Sequence, residues 1–254
     1  MNKKLCLSSA LIIIASIFSG CGDSINDAAD LNGRKIAAQF GTTGFSIASD
    51  IKNSDVRGYK TSKDIVDAIK ESTVEAAIID EDTARNLADK NEELKVLKDS
   101  FEIEEYSIAY NKDNEKLGDE IDRVITELVT DGTLDDLSSH WIGEDADKVS
   151  YVPDPDIERE GTILMYTNAE FPPYESKIDG EICGFDVDLM NVICDRLQLN
   201  LLIRNEPFSS LLDYVAQDEN SVAVAAMTVT PEREEKVAFT KSYANSKQVI
   251  VVKK

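Results

Sequence analysis

The chain has 254 residues, with 27 Lys plus Arg against 49 Asp plus Glu and a net charge of −22. That length suffices for one large domain or for two small lobes with cores of their own. The acidic balance excludes nucleic-acid backbones and anionic membrane surfaces as partners for most of the surface; otherwise it describes a well-solvated exterior and says nothing about a ligand.

Residues 1–20 read as a signal peptide. Lys3 and Lys4 precede "LCLSSALIIIASIF", an apolar run too short to span a bilayer. The following "FSGC" resembles the bacterial lipobox, with Phe18 where Leu is usual. Cys21 would then carry lipid and anchor an exported protein to the outer face of a membrane; an ordinary signal peptide is the alternative. Residues 21–30 form a short polar tether. With Cys6 in the signal and Cys21 lipidated, Cys183 and Cys194 remain. A helix from about Asp186 would hold them roughly 15 Å apart, so two free thiols are expected. The single His140 and the absence of any Cys-x-x-Cys exclude a metal cluster, and no cofactor is expected.

From Leu31 short apolar strands alternate with amphipathic helices. "KIAAQ" reads as a strand leading into Gly-Thr-Thr-Gly, and "FSIASDI" as a helix after that loop. "SKDIVDAIKES" is a helix with Ser62 as N-cap. "VEAAIID" is a buried strand ending at Asp80, "EDTARNLADK" a helix and "YSIAYNK" a strand. "EKLGDEIDRVITELVTDG" is a helix closed by Gly132, and "TLDDLSSHWIG" another, with Trp141 in the core and His140 on the surface. Residues 144–161, rich in acidic residues and containing Pro153 and Pro155, break the rhythm as a linker. The pattern then restarts: strand "TILMYTN", loop "AEFPPYES", helix "FDVDLMNVICDRLQ", strand "LLIRN", helix "SSLLDYVAQD", strand "VAVAAM" and a last strand "QVIVVKK". This βαβ rhythm predicts an α/β protein with mainly parallel sheets flanked by helices.

In such sheets ligands sit outside the carboxyl ends of strands. Arg233, shortly after a strand, offers a rigid donor fork suited to a carboxylate. Thr228 and nearby N–H groups, or those around Thr42 and Thr43, suit the same anion. Asp80 suits an ammonium, and Phe171 and Phe208 supply flat walls. Each also has a plain structural alternative: Arg233 pairing with acidic neighbours on a surface helix, Asp80 capping the next helix, Phe171 as core, Thr42 and Thr43 as a turn. Together they describe an amino-acid site.

"GTILMYTNAEFPPYESKIDGEICGFDVDLMNVICDRLQLNL", "AVAAMTVTPEREEKVAFTKSYANSKQVIVVKK" and "LNGRKIAAQFGTTG" resemble the extracellular solute-binding proteins for polar amino acids, the receptors of ABC importers. The resemblance implies the type 2 periplasmic-binding-protein fold, two Rossmann-like lobes joined by hinge strands and closing over one amino acid. It implies that Arg233 grips the α-carboxylate with Thr228 and the backbone at Ala226, that Thr42 and Thr43 reach it from the other lobe, and that Asp80 holds the α-ammonium. Phe171 would stack on the ligand, with Asn168, Phe208, Met227 and Gln39 around its side chain. Asn168 stands where family members often carry Asp.

The order of the parts departs from the family, whose "TNAEFPPY…VIVVKK" half normally precedes "LNGRKIAAQFGTTG". The chain therefore reads as circularly permuted: lobe 2 at 31–105, a hinge at 106–110, helices of lobe 1 at 111–143, a permutation linker at 144–161 and the rest of lobe 1 at 162–254. A fragment of a longer tandem receptor is the alternative. On this division only the crossing near Tyr106–Tyr110 would be covalent, and the open form would sample a wide range of lobe angles. The expected function is non-enzymatic: a monomeric, lipid-anchored receptor delivering a free amino acid to an ABC permease. A cyclohexadienyl dehydratase-like enzyme on the same fold is the first alternative, with Glu170 its only obvious acid or base. A ligand-sensing module is the second.

Overall fold

The computed structural model describes residues 24–143 and 145–254; the signal segment and Cys21 lie outside the described residues. The chain is an α/β protein built on one long sheet. Its first part runs β1 (Lys35–Gln39), α1 (Thr43–Asp50), β2 (Asp55–Tyr59), α2 (Ser62–Lys70), β3 (Ala76–Asp80), α3 (Glu81–Asp89) and β4 (Leu94–Tyr110). Then come the helices α4 (Glu115–Asp131) and α5 (Thr133–Trp141). After the linker follow β5 (Thr162–Thr167), a small antiparallel sheet of β6 (Glu170–Phe171), β7 (Glu175–Ile178) and β8 (Glu181–Cys183), and α6 (Phe185–Leu197). The chain continues as β9 (Asn200–Asn205), α7 (Leu211–Val215), β10 (Ser221–Ala223), α8 (Pro231–Glu234) and β11 (Ala238–Lys253).

The main sheet has the order β2-β1-β3-β11-β4-β10-β5-β9. β1 pairs in parallel with β2 and β3 at one end, and β5 in parallel with β9 and β10 at the other. Between them lie the two long strands β4 and β11, antiparallel to each other and to the inner neighbour on each side. Each end thus repeats one βαβ arrangement, and within the sheet the ends are joined through β4 and β11.

Side-chain alternation explains why each end is covered on both faces. Ala37, Ala77, Ile79, Val249 and Val251 pack under α2 with Ile65 and Ile69, whereas Ile36, Ile78, Ile250 and Val252 pack on the opposite face with Leu31 and Ala48. At the far end Met165, Val222 and Phe185 join the α4 stripe Ile121, Val124, Ile125 and Leu128 and the buried Trp141. Ala109, Ala223, Leu211 and Val215 form the facing layer.

Several local expectations are corrected. β2 escapes the apolar pattern because "DVRGY" forms an edge strand whose residues are exposed or half-buried. The expected loop "AEFPPYES" supplies β6 and the first half of β7. The N-cap of α2 is Thr61, whose hydroxyl accepts from the Asp64 N–H; the Ser62 hydroxyl donates instead to the Glu170 carbonyl. Of "VAVAAM" only the start is strand, and Val224 to Met227 leave the ladder. Cys183 and Cys194 are free, His140 is exposed and pairs with Asp147, and no helix among the described residues is long and apolar enough to cross a membrane.

The largest correction concerns the end of the chain. "QVIVVKK" is not part of the 162–254 body: Gln248–Val252 pair with β3, and Val249 to Val252 fill the same cores as Ile36 and Ile65. A strand apolar on both faces needs a neighbour on each edge and a cover on each side, and only the β1–β3 end offers them. β11 therefore crosses from one end of the sheet to the other beside β4, paired from Ala238↔Tyr110 to Lys253↔Leu94 with register shifts on the way. The chain crosses twice, so the expectation of one covalent crossing and a loosely attached half is overturned.

The linker is strapped to α6. Tyr151 N–H donates to Asp188 at 2.9 Å, sharing that oxygen with the Trp141 indole at 2.7 Å. The Tyr151 hydroxyl and the Asp154 N–H reach Asp195, which also pairs with Arg159.

Candidate ligand-binding cleft

The carboxyl ends of β1, β3, β5 and β10 all point toward the middle of the molecule, where the two ends of the sheet face each other. There Gln39, Thr42, Thr43 and Asp80 from one side and Phe171, Phe208, Ala226, Thr228 and Arg233 from the other line one narrow cavity.

Arg233 is placed by a short helix that "TPER" specifies. The Thr230 hydroxyl caps it by accepting from Arg233 N–H, and Pro231 opens its first turn. The guanidinium does not pair with the acidic residues around it in sequence. It donates through Nη1 to the Thr228 carbonyl at 2.6 Å and through Nη2 to the Gly41 carbonyl at 3.0 Å, with its Cζ 5.4 Å from the Phe208 ring centre. The second bond joins the two sides of the cleft.

Opposite it, Thr42 caps α1: its hydroxyl accepts from Phe45 N–H at 3.2 Å and donates to the Gln39 carbonyl at 2.8 Å. Thr43 turns its hydroxyl into the cleft and donates to Glu104 at 2.9 Å. Asp80 makes no side-chain cap to α3. It accepts instead from the Tyr106 hydroxyl, and burial, reinforced by the nearby Glu104 charge, pushes its pKa up to about 7.

Ala226 sits with φ at +45°, held there by its N–H donating to Asp186 at 2.8 Å. This bond ties "GFDVDL" to "AAMTVTPER" and fixes the loop that carries Thr228. Gln39 donates to Asn168 across the cleft at 2.8 Å, both side chains buried. Phe171 lies on the cavity wall and stacks on Tyr174, the ring centres 6.2 Å apart. Two of the expected residues do not line the cavity: Asn168 stands behind Gln39, and Met227 is buried beside Ala109, Leu211 and Val215 and faces a neighbouring groove. Glu170 also lies elsewhere, in a groove with Lys63 and Lys177. Glu104, Tyr106 and Gln248 belong to the cleft but were missed from sequence. The signal was period two in "EEYS", which aims Glu104 and Tyr106 at the same face. Among the described residues no group of His, Cys, Asp and Glu has metal-ligand geometry.

The cleft floor holds a second buried acid pair. Glu175 and Asp186 are both fully buried; Asp186 accepts from Ala226 and Tyr243, while Glu175 has no other hydrogen-bond partner. Burial and the Asp186 charge hold Glu175 well above the usual carboxylate range, and burial raises Asp186 to about 6. A folded-state pKa above the unfolded one gives stability present below the unfolded value and lost as pH rises through the folded value. The ligand-free chain is therefore expected to lose stability between about pH 4 and pH 7, by on the order of 3–4 kcal/mol from Asp80 alone. Denaturant melts across this range check it: a flat or rising profile would contradict the buried, uncompensated carboxyls.

Residues 163–254 match the model of the bacterial extracellular solute-binding proteins, family 3. The arginine-binding periplasmic protein of Mannheimia haemolytica is 35% identical over 92 residues, 36% of this chain and 39% of that protein. The L-cystine-binding protein TcyJ of Escherichia coli K12 is 30% identical over 138 residues, 54% of this chain and 52% of that protein. The arginine-bound form of domain 1 from TmArgBP is a solved structure 33% identical to this chain, covering 37% of it and 81% of that domain with a TM-score of 0.32. The matched stretches thus span about two fifths to one half of the curated relatives' length.

Proposed function

We infer, from the match of residues 163–254 to the model of the bacterial extracellular solute-binding proteins, family 3, that the chain is a receptor that closes over one free amino acid and presents it to an ABC importer. The observation that carries this reading is the cavity with Arg233 on one side and Asp80 on the other: a cation for a carboxylate and a buried carboxylate for an ammonium, between aromatic walls. A zwitterion buried there has both charges answered, which burial demands. An ammonium beside Asp80 also favours its charged form against the effect of burial, so binding below pH 7 releases a proton. The relatives are named for arginine, cystine and histidine binding, which supports an amino-acid ligand.

In this reading the β1–β3 end, together with the last third of β11, is one lobe. The β5–β10 end with α4 and α5 is the other, and β4 and β11 are the two hinge strands. The circular permutation is supported by what lies side by side: Leu31 and Val252 pack in one core, and the Lys254 N–H donates to the Glu93 carbonyl at 2.8 Å. The ends of a normally continuous crossing strand and its successor are thus neighbours in space. Export and anchoring through Cys21 complete the proposal.

Calorimetric titration of the chain against a panel of free amino acids tests the function. Binding of at least one at micromolar affinity or tighter, without turnover, is expected. Heat from none of them would overturn the amino-acid site, and chemical conversion of a bound one would favour the enzyme.

A further inference from the structure

One of the chain's own carboxylates bridges the two sides of the cleft at the edge of the cavity. Glu104, half-buried in the middle of β4, directs a single carboxylate oxygen into the space between the two sides. That oxygen accepts from the Thr43 hydroxyl at 2.9 Å, from the Thr228 hydroxyl at 2.8 Å and from the Gln248 amide at 3.2 Å. The three donors come from three segments, one on each side of the cleft and one on the second crossing strand. They form a polar cradle for one anionic oxygen, and the guanidinium of Arg233 has no ion pair with any acidic side chain among the described residues.

Thr43 and Thr228 are two of the groups from which the proposed function builds its carboxylate seat. A carboxylate arriving from solution meets hydroxyls whose protons already point at Glu104, and meets the Glu104 charge itself. Both cannot accept from the same two protons, because each hydroxyl donates once. Two carboxylates in one cradle also repel.

We propose that Glu104 is an internal stand-in for the ligand's carboxylate: it bridges Thr43 and Thr228 in the empty receptor, holds the two sides together, and is exchanged for the carboxylate of an incoming amino acid. The inference rests on the amino-acid reading of the site and names the residue that sets its affinity. The seat is available only in the fraction of molecules whose Glu104 has swung out, so the measured affinity is the intrinsic one reduced by that fraction. A ligand without a carboxylate cannot make the exchange. Gln248, which also approaches Thr43 at 3.3 Å, keeps the donor network in place while the acceptor changes.

The test uses Glu104→Gln and Glu104→Ala in the full chain, with Arg233 and Asp80 intact and folding checked by thermal melts. Titration of the best-bound amino acid is expected to give roughly tenfold tighter binding for both variants, by removal of the competing acceptor. Unchanged or weaker binding, with wild-type binding intact, overturns the exchange and leaves the receptor reading standing. A wild-type chain that binds no amino acid removes the receptor reading itself. Small-angle scattering reads the contact with no ligand present: the ligand-free variants should have a larger radius of gyration than the ligand-free wild type. Equal radii would overturn the bridging role whatever the titrations give.

Discussion

Arg233→Ala is expected to weaken binding of the preferred amino acid by about 2–5 kcal/mol, a loss of roughly thirty- to several-thousand-fold. The reasoning is local. Arg233 is carried on a turn capped by Thr230, and its fork already donates to Thr228 on its own side and Gly41 on the other. Removing it deletes the positive charge of the cavity and leaves a ligand carboxylate desolvated with hydroxyl partners only. Asp80→Ala is expected to fall in the same range, because Asp80 is, among the described residues, the one carboxylate lining the cavity and the ammonium is then left unanswered. Titration of each variant, after a melt to confirm folding, checks both, and a loss under tenfold in both would refute the assignment. Arg233→Lys is expected to recover only part of the affinity, since an ammonium cannot reproduce two fixed donors across the cleft.

Gly184→Ala is expected to produce the largest loss of stability of any single methyl addition in the chain, about 3 kcal/mol or more. Gly184 has φ at +144°, and a Cβ there would stand 2.1 Å from the Tyr174 carbonyl oxygen and 2.6 Å from its carbon. Those neighbours are backbone and cannot rotate away. The Tyr174 carbonyl is held by the Asp186 N–H at 3.0 Å, so displacing it also disturbs the start of α6. Since Asp186 fixes Ala226 and so the Thr228 loop, the variant should lose ligand affinity along with stability. Urea melts measure the first effect; a change below 1 kcal/mol would mean that the close approach of the "CGFD" turn to Tyr174 is absent in solution.

How far the sequence reveals the protein depends on the physics behind each feature. The helices with a one-sided apolar stripe, such as Leu117–Leu128 of α4, are legible because periodicity and capping are local. So are the fully apolar strands such as "AAIID". The edge strand "DVRGY" is not, because its extended form comes from pairing with β1, and the two-residue β6 is not, because it is too short to show a period. The extents of β4 and β11 are hidden for a similar reason. Residues such as Lys98 and Ser242 break the apolar pattern inside them, and only the mutual pairing of two long strands holds them extended.

The site divides the same way. Arg233, Asp80, Thr42 and Thr43 are legible as groups that follow a strand's carboxyl end. Glu104 and Gln248 are not, because they enter the cleft from mid-strand positions where charged residues ordinarily face water. Met227 was assigned to the cavity from its place in "AAMTVT", but the positive φ at Ala226 turns the chain and buries it beneath the neighbouring layer.

The most direct test of a cleft that reads a zwitterion is a calorimetric comparison of the best-bound amino acid with two of its derivatives. The α-amide lacks the carboxylate that Arg233 would hold, and the N-acetyl form lacks the ammonium that Asp80 would hold. The free amino acid is expected to bind at micromolar affinity or tighter, and each derivative at least a hundredfold more weakly. An amide or an N-acetyl form that binds as tightly as the free amino acid would contradict the account.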